Sequence, residues 1–308
     1  MNTPPSPPDA LNQPCPACLA QEAEAALTLH DWTYTGKGPF GYQRCCRCGA
    51  LYAAESLSPS ELAPYYPTHY AAYVDRAARS RLGAMAQQVG LLKRCRAVER
   101  LRTGGRLLDV GCGAGAFVET MQARGWSAVG LERDAGAAQA ARARGLDVRT
   151  GQAPGYPFAP GSFDVITLWD VLEHMEQPGV ALRGIAAWLA PGGWLVLRTP
   201  DAACLQARLF GRWWAGYDAP RHRVIYTRRA LESLLRASAL EPQPLPGPTG
   251  SYALATLSVQ NGVLGGRWPR WVAQAMSDPA GQALCLLPTA LLDRIAGGAE
   301  LLVAAQRR

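Results

Sequence analysis

The stretch Leu107-Leu108-Asp109-Val110-Gly111-Cys112-Gly113-Ala114-Gly115-Ala116-Phe117 constrains this chain more than any other. An apolar run passes into three glycines at alternate positions, and helix-forming residues follow. Glycine serves where a backbone must turn sharply or approach a ligand closely, and it weakens a chain where neither is needed. Asp109 falls at the carboxyl end of the apolar run, the edge at which open α/β sheets bind ligands. The segment predicts a strand–turn–helix unit of a parallel sheet, with a binding crevice beside the turn.

From Arg106 onward, apolar strands alternate with helical stretches, the pattern of a parallel sheet covered on both faces. Strands are read at Arg106–Val110, Ser127–Leu131, Leu146–Thr150, Phe163–Leu168 and Trp194–Arg198. Helices are expected from about Ala116, over Asp134–Arg144, over Val180–Leu189 and over Thr227–Ser238. Phe117 and Met121 share a face of the first, and Gly125 and Gly145 close the first two. A last apolar strand at Leu301–Ala304 completes the sheet.

Glu132 ends the second strand about 20 residues after the turn, where a carboxylate can accept the ribose hydroxyls of an adenosine. Gly111, Gly113 and Ala116 also satisfy the Gly-x-Gly-x-x-Gly/Ala pattern of dinucleotide sites. The downstream segments separate the two readings. Phe163-Asp164-Val165-Ile166-Thr167-Leu168-Trp169-Asp170-Val171-Leu172-Glu173-His174, then Leu189-Ala190-Pro191-Gly192-Gly193-Trp194-Leu195-Val196-Leu197, then Thr199-Pro200-Asp201 follow in order. With the glycine turn, they resemble the motifs of class I methyltransferases of the small-molecule type, which depend on S-adenosylmethionine (SAM). Asp201 departs from the Asn usual there. The resemblance implies an α/β fold with a Rossmann-like seven-stranded sheet. It implies that Asp109, Gly111, Gly113 and Gly115 hold the methionine end of SAM and that Glu132 takes the ribose. It places Gln152 and Ala153 at the adenine, and Trp169 and Asp170 beside the sulfonium and the acceptor. Arg133 either stacks on the adenine or is a solvated surface residue.

Near the N-terminus stand two Cys-x-x-Cys pairs, Cys15-Pro16-Ala17-Cys18 and Cys45-Cys46-Arg47-Cys48. Each can put two thiolates on one ion, and together they complete a tetrahedral sulfur site with no position open to water or substrate. The arrangement is similar to a zinc ribbon, with Cys15, Cys18, Cys45 and Cys48 holding a structural Zn2+. Iron fits the same donors, and a redox pair is the remaining reading. Residues 19–44 are expected to carry a hairpin around Trp32 to Tyr42, and Tyr52 a short strand. Cys46 is a spare thiol, and Cys95, Cys112, Cys204 and Cys285 read as small apolar residues. The odd total of nine cysteines does not suggest a secreted disulfide framework.

Leu57–Leu62 reads as a turn into a short helix, and Pro64–Tyr73 follows with four tyrosines. Resemblance to zinc-ribbon methyltransferases makes this segment a lid in which Tyr70 and Tyr73 touch SAM or the acceptor. The rings would equally serve to dock the ribbon on the core. Residues 75–102 read as a helix leading into the sheet. Of four histidines, His174 ends the motif after the fourth strand, and His222 lies in Pro220-Arg221-His222 before the Thr227–Ser238 helix. Both are candidate catalytic bases, since imidazole accepts a proton near neutral pH. Arg221 and Arg223 are expected to meet phosphate or carboxylate groups of an anionic acceptor. Residues 205–220 read as a substrate-side cap, and 242–290 as Pro-Gly turns with apolar patches that cover the site or form a homodimer face.

The formal charge is +7, with Lys37 and Lys93 the only lysines. The basic residues are spread out rather than blocked, so an anionic partner and a merely solvated arginine surface are both open. No run of about 18 apolar residues suggests a membrane span. The Pro-rich start lacks a signal-peptide core, which leads to an expectation of a cytoplasmic protein. Four parts are expected: 1–56 a zinc ribbon, 57–103 a tyrosine-rich bridge and helical lid, 104–204 the SAM core, and 205–308 a cap that also completes the sheet. The expected reaction is methyl transfer from SAM to oxygen or carbon of a small polar molecule, of the nucleotide-linked sugar or secondary-metabolite class. An RNA methyltransferase using the ribbon to grip nucleic acid is the alternative, disfavoured because no Asn-Pro-Pro-Tyr type motif is present. A SAM-binding scaffold without activity is the third.

Overall fold

The computed structural model describes residues 13–66, 81–243, 245, 252–277, 289, 293 and 297–308. Strands β1 (Ala23–Leu29), β2 (Phe40–Cys45) and β3 (Leu51–Ala53) come first, then a single-turn helix α1 (Pro59–Leu62) and the long α2 (Arg81–Glu99). The alternating region runs β4 (Arg106–Val110), α3 (Ala116–Ala123), β5 (Ser127–Glu132), α4 (Ala135–Ala143), β6 (Val148–Thr150), β7 (Phe163–Trp169), α5 (Pro178–Trp188) and β8 (Leu189–Pro200). There follow α6 (Leu205–Phe210), β9 (Val224–Ile225), α7 (Arg228–Arg236), β10 (Leu240–Gln243), α8 (Tyr252–Leu264), α9 (Arg270–Ser277) and β11 (Glu300–Arg307).

Seven strands form one sheet in the order β10-β11-β8-β7-β4-β5-β6. The neighbours from β8 to β6 are parallel, and β11 runs antiparallel between β8 and β10. Successive residues of the central strands feed opposite cores, the period of two that strand geometry imposes. Leu108, Ile166 and Leu195 pack with Leu182 and Ile185 of α5 and Leu231 and Leu234 of α7. Leu107, Val165 and Val196 pack with Val98 of α2, Val118 and Met121 of α3, and Ala138 and Ala141 of α4. Covered on both faces, these strands are apolar nearly throughout.

The chain leaves β4 toward β5 and β6, then returns to place β7 on the other side of β4. That reversal opens a crevice at the carboxyl ends of β4 and β7. The glycine turn sits there. Local chemistry fixes the helix starts beside it. The Asp134 carboxylate accepts the Ala137 N–H at 2.7 Å to cap α4, and the Thr227 hydroxyl accepts the Ala230 N–H to cap α7.

A second sheet has the order β1-β2-β3-β9. Its fourth strand comes from the far end of the chain, pairing Leu51 with Ile225 and Tyr52 with Val224. The Thr227 hydroxyl also donates to the Cys48 carbonyl at 2.8 Å, tying the start of α7 to the second cysteine pair.

Three expectations need correction. The hairpin is present but longer than Trp32 to Tyr42: its strands are Ala23–Leu29 and Phe40–Cys45, with Trp32 in its connection. Its first strand, Ala-Glu-Ala-Ala-Leu-Thr-Leu, carries little β-branched or aromatic signal, and register with β2 makes it a strand. The region 242–290 holds helices α8 and α9 and not only turns. Gly262 of α8 lies so close to Trp268 that a Cβ there would come within 2.2 Å of the indole, and Trp268 meets Phe210 edge-on. Strand β10 has no counterpart in the sequence reading. It contains Pro242 and exists because β11 offers an edge. Tyr70, Tyr73 and Cys285 lie outside the described residues. Among the described residues, no helix is long and apolar enough to cross a membrane.

Candidate active site

Asp109 is the fourth residue of β4, in register with Thr167 of β7. Its side chain is buried, and a carboxyl oxygen accepts the Thr167 hydroxyl at 2.6 Å. Burial pushes its pKa up to about 7, while the Thr167 hydrogen bond and the Arg94 guanidinium pull the other way. Gly111 follows with φ +71°, and a Cβ there would strike Val171 at 2.6 Å. Gly115 (φ +81°) caps α3, and a Cβ there would strike Leu146 at 2.7 Å. The glycines thus meet both demands, left-handed backbone and close approach.

Glu132 closes β5 and is buried. One carboxylate oxygen accepts the Gly113 N–H at 2.8 Å and the other the Asp134 N–H at 2.9 Å. The acid therefore braces the glycine turn. Gly151, just past β6, donates its N–H to the Glu132 carbonyl at 2.8 Å. That bond sets Gln152, exposed, and Ala153, half-buried, beside the same crevice.

Trp169 ends β7 with its ring edge-on to Phe117 (centroids 5.4 Å) and the Arg94 guanidinium 5.3 Å from its own centroid. Asp170 adopts the left-handed φ of +59°. Its carboxylate is forked by Arg198, with one bond of 2.9 Å from Nε and a second from Nη2, and Arg94 approaches at 3.4 Å. Burial disfavours the carboxylate charge, but Arg198 outweighs it and holds the Asp170 pKa below the ordinary range. Arg198 also reaches Glu300 at 3.4 Å. Arg94, Thr167, Arg198 and Glu300 carried no sequence signal of this role. They lie in four distant segments and meet only in the sheet.

His174 lies in a 3-10 turn after β7, and His222 in the loop before β9. The rings meet edge to face with centroids 4.6 Å apart. Nδ1 of His174 lies 3.0 Å from the Arg221 carbonyl, and Nδ1 of His222 lies 2.9 Å from the Gly216 carbonyl. A carbonyl only accepts, so each ring is protonated at Nδ1 and carries a lone pair at Nε2. Burial, with the neighbouring His222, pushes His174 down to about 3, and burial lowers His222 as well. Both imidazoles are neutral at pH 7. The Tyr66 hydroxyl reaches His174 Nδ1 at 3.4 Å, and Arg133 lies 5.0 Å over the Tyr66 ring. The bridge therefore touches the site through Tyr66, which was not among the residues singled out.

Arg221 does not face an acceptor. It is fully buried and binds Asp218 through Nε (2.8 Å) and Nη2 (2.6 Å), Asp31 through Nη2 (2.7 Å) and the Tyr65 carbonyl through Nη1 (2.8 Å). Arg223 donates to the Ser56 hydroxyl and the Leu57 carbonyl. Both arginines join the N-terminal sheet and bridge to the loop that carries His222. The sequence showed their charge but not that other parts of the chain consume it.

At the N-terminal sheet, Sγ of Cys15 lies 3.6 Å from Cys48, and Sγ of Cys18 lies 3.5 Å from Cys45. All four sulfurs fall within 4.8 Å of one another. Cys46 is exposed and outside this group.

A family model described as "Methyltransferase domain" matches residues 78–243. The ubiquinone biosynthesis O-methyltransferase of Bordetella bronchiseptica is 36% identical over 104 residues, which are 32% of this chain and 43% of that protein. The match thus spans less than half the length of that relative. The protein of the same name from Ralstonia nicotianae is 30% identical over 186 residues, 54% of this chain and 77% of that one. Among solved structures, geranyl diphosphate methyltransferase in complex with GPP and sinefungin superposes with a TM-score of 0.51 at 19% identity, covering 77% of this chain and 85% of that one.

Proposed function

Because this chain belongs to the class I SAM-dependent methyltransferases, we propose that it methylates a hydroxyl oxygen of a small polar molecule. The observation that carries this reading is the imidazole pair after β7, two neutral rings each with a free Nε2 acceptor. The names of the relatives above, O-methyltransferases, support oxygen over carbon. SAM supplies an electrophilic methyl group on a positively charged sulfur.

The crevice fits such a cofactor. Asp109 offers a buried anion to the methionine amino group, and the glycine turn lets main chain approach. Each Glu132 oxygen accepts one backbone N–H, which leaves a second lone pair on each for the ribose hydroxyls. Gln152 and Ala153 border the adenine. Trp169 and the arginine-held Asp170 border the sulfonium. The chain's work is to align the acceptor oxygen opposite the sulfur–methyl bond and to exclude water. His174 or His222 accepts the hydroxyl proton as the new bond forms.

Incubation with SAM and separate pools of phenols, nucleotide-linked sugars and RNA, read by mass spectrometry, tests the reading. O-methylation within a small-molecule pool is expected, and methylation of RNA alone would overturn it. Glu132→Gln keeps shape but loses charge. It is expected to weaken SAM binding about tenfold by calorimetry, since a charged hydrogen bond is worth about 1.5–3 kcal/mol. Undiminished affinity would remove Glu132 from the ribose.

We propose further that Cys15, Cys18, Cys45 and Cys48 hold a structural Zn2+. Four bonds of about 2.3 Å in a tetrahedron set sulfurs about 3.8 Å apart, close to the 3.5 and 3.6 Å found. Elemental analysis of Cys18→Ser is expected to show about one ion per chain fewer than the parent, and an unchanged metal content would refute the site. The division at 1–56, 57–103, 104–204 and 205–308 stands as part of this proposal. In it, the β3–β9 pairing docks the ribbon on the cap.

A further inference from the structure

One group beside the imidazole pair has no task in the reaction above. Glu173 is completely buried, and neither carboxyl oxygen has a hydrogen-bond partner of good geometry among the described residues, the Thr199 hydroxyl being a side-chain donor close by. A buried polar group left bare costs about 1–3 kcal/mol, so its surroundings indicate what satisfies it. They include His174 and His222, with the Asp170 carboxylate, the Thr199 hydroxyl and the Arg198 guanidinium also near. Nε2 of His222 lies 4.0 Å from Oε1 of Glu173, and one donor atom from each of the three residues lies within 4.8 Å of the others. The nearby Asp218 carboxylate, 3.9 Å from the same Nε2, is already bound by Arg221.

The tautomers point the same way. Each imidazole gives its Nδ1 proton to a main-chain carbonyl, of Arg221 or of Gly216. This is the outer hydrogen bond that metal-bound histidines make, and it fixes the ring and leaves Nε2 as the ligand atom. Three ligand atoms thus converge, and an ion bound among them would displace the proton that burial and the Asp170 charge favour on Glu173. Metal–ligand bonds of about 2.0–2.2 Å place two donors up to about 4 Å apart. Side-chain movement of less than about an ångström therefore brings this set to ligation.

We propose that Glu173, His174 and His222 form a binding site for one divalent transition-metal ion, open on the side of the acceptor. Two nitrogens and one carboxylate suit Mn2+, Fe2+, Co2+ or Zn2+ over the oxygen-seeking Mg2+ and Ca2+. Three protein ligands leave coordination positions free, the pattern of a reactive site, unlike the closed four-thiol cluster. His174, the partly exposed member of the three, marks the open side. An acceptor hydroxyl bound there would release its proton to solvent more readily, as ion-bound water does, and in the loaded protein this would take the place of proton acceptance by His174 or His222. The role toward the acceptor rests on the function proposed above, whereas ion binding does not.

The 308-residue chain, stripped with chelator and reloaded with one Zn2+ at the cysteines, is titrated with Mn2+. Free Mn2+ is followed by electron paramagnetic resonance. Manganese does not favour thiolates, so the cysteine cluster stays silent. One Mn2+ per chain is expected, with Glu173→Gln and His222→Ala each weakening it tenfold or more while retaining the parent's circular dichroism. Spin-echo modulation from two imidazole nitrogens in the unmutated protein reads the ligands without any variant. Absence of Mn2+, Co2+ and Zn2+ binding beyond the cysteines would overturn the site, as would unchanged affinity in both folded variants. Binding with methylation indifferent to the ion would keep the site and overturn its role. Binding without methylation of any small hydroxylated molecule would keep the site and overturn the function proposed above.

Discussion

Apo protein carrying Asp109→Asn is expected to melt at a higher temperature than the parent at pH 8, yet to bind SAM at least tenfold more weakly. The two effects share one cause. Burial raises Asp109 from its ordinary 3.8 to about 7, so the fold favours the protonated acid. The stability this group contributes is present in full below about pH 4, where the unfolded chain is protonated too. It is lost as pH rises through about 7. The full shift corresponds to about 4 kcal/mol, an upper bound on what the ionised form costs the empty protein. Asparagine mimics the protonated acid in shape and still accepts the Thr167 hydroxyl, so it removes that cost. The same exchange removes the anion proposed to hold the methionine amino group, a charged contact worth about 1.5–3 kcal/mol. Calorimetric melting at pH 5 and pH 8 beside SAM titration checks both signs. A variant no more stable than the parent at pH 8, or one that binds SAM as tightly, would detach Asp109 from this account. By the same linkage, SAM binding to the parent takes up the ionised acid and is expected to tighten as pH rises toward 7.

Arg221→Met is expected to destabilise the protein by about 3–5 kcal/mol. The loss arises less from the missing bonds than from what remains, the Asp31 and Asp218 carboxylates with their shared cation gone. For a chain of this size, that lowers the melting temperature by roughly 10 °C. Arg221→Lys is expected to recover little, because one ammonium cannot reproduce a fork that reaches two carboxylates and a carbonyl. Adding Asp31→Asn to Arg221→Met should restore part of the loss. A change below about 1 kcal/mol in the single variant would mean that the network is solvated and does not clamp the His222 loop.

The legible parts of this chain were local. Strand β4 matches Arg106–Val110, and the caps at Asp134 and Thr227 fall where side-chain chemistry demands them. The glycine turn declared itself because backbone strain excludes other residues at Gly111 and Gly115. The four clustered cysteines were readable because Cys-x-x-Cys puts two thiols in one turn. The illegible parts were distant pairings. β10 is a strand through its partner alone, and β1 has almost no strand signal of its own. Arg221 and Arg223 looked like ligands for an anion because formal charge says nothing about which buried carboxylate or carbonyl will take it.

What the linear chain settles by itself is the alternating sheet and its crevice, because hydrophobic period and glycine placement are properties of neighbouring residues; the class of cofactor came from the resemblance of its motifs to those of a family. The fold alone decides the rest. Glu173, His174 and His222 meet because the turn after β7 and the loop before β9 converge. Asp109 and Glu132 acquire their surroundings only once β4 and β5 are buried. Burial and long-range contact set protonation and partners, and neither is a property that a residue carries along its own strand.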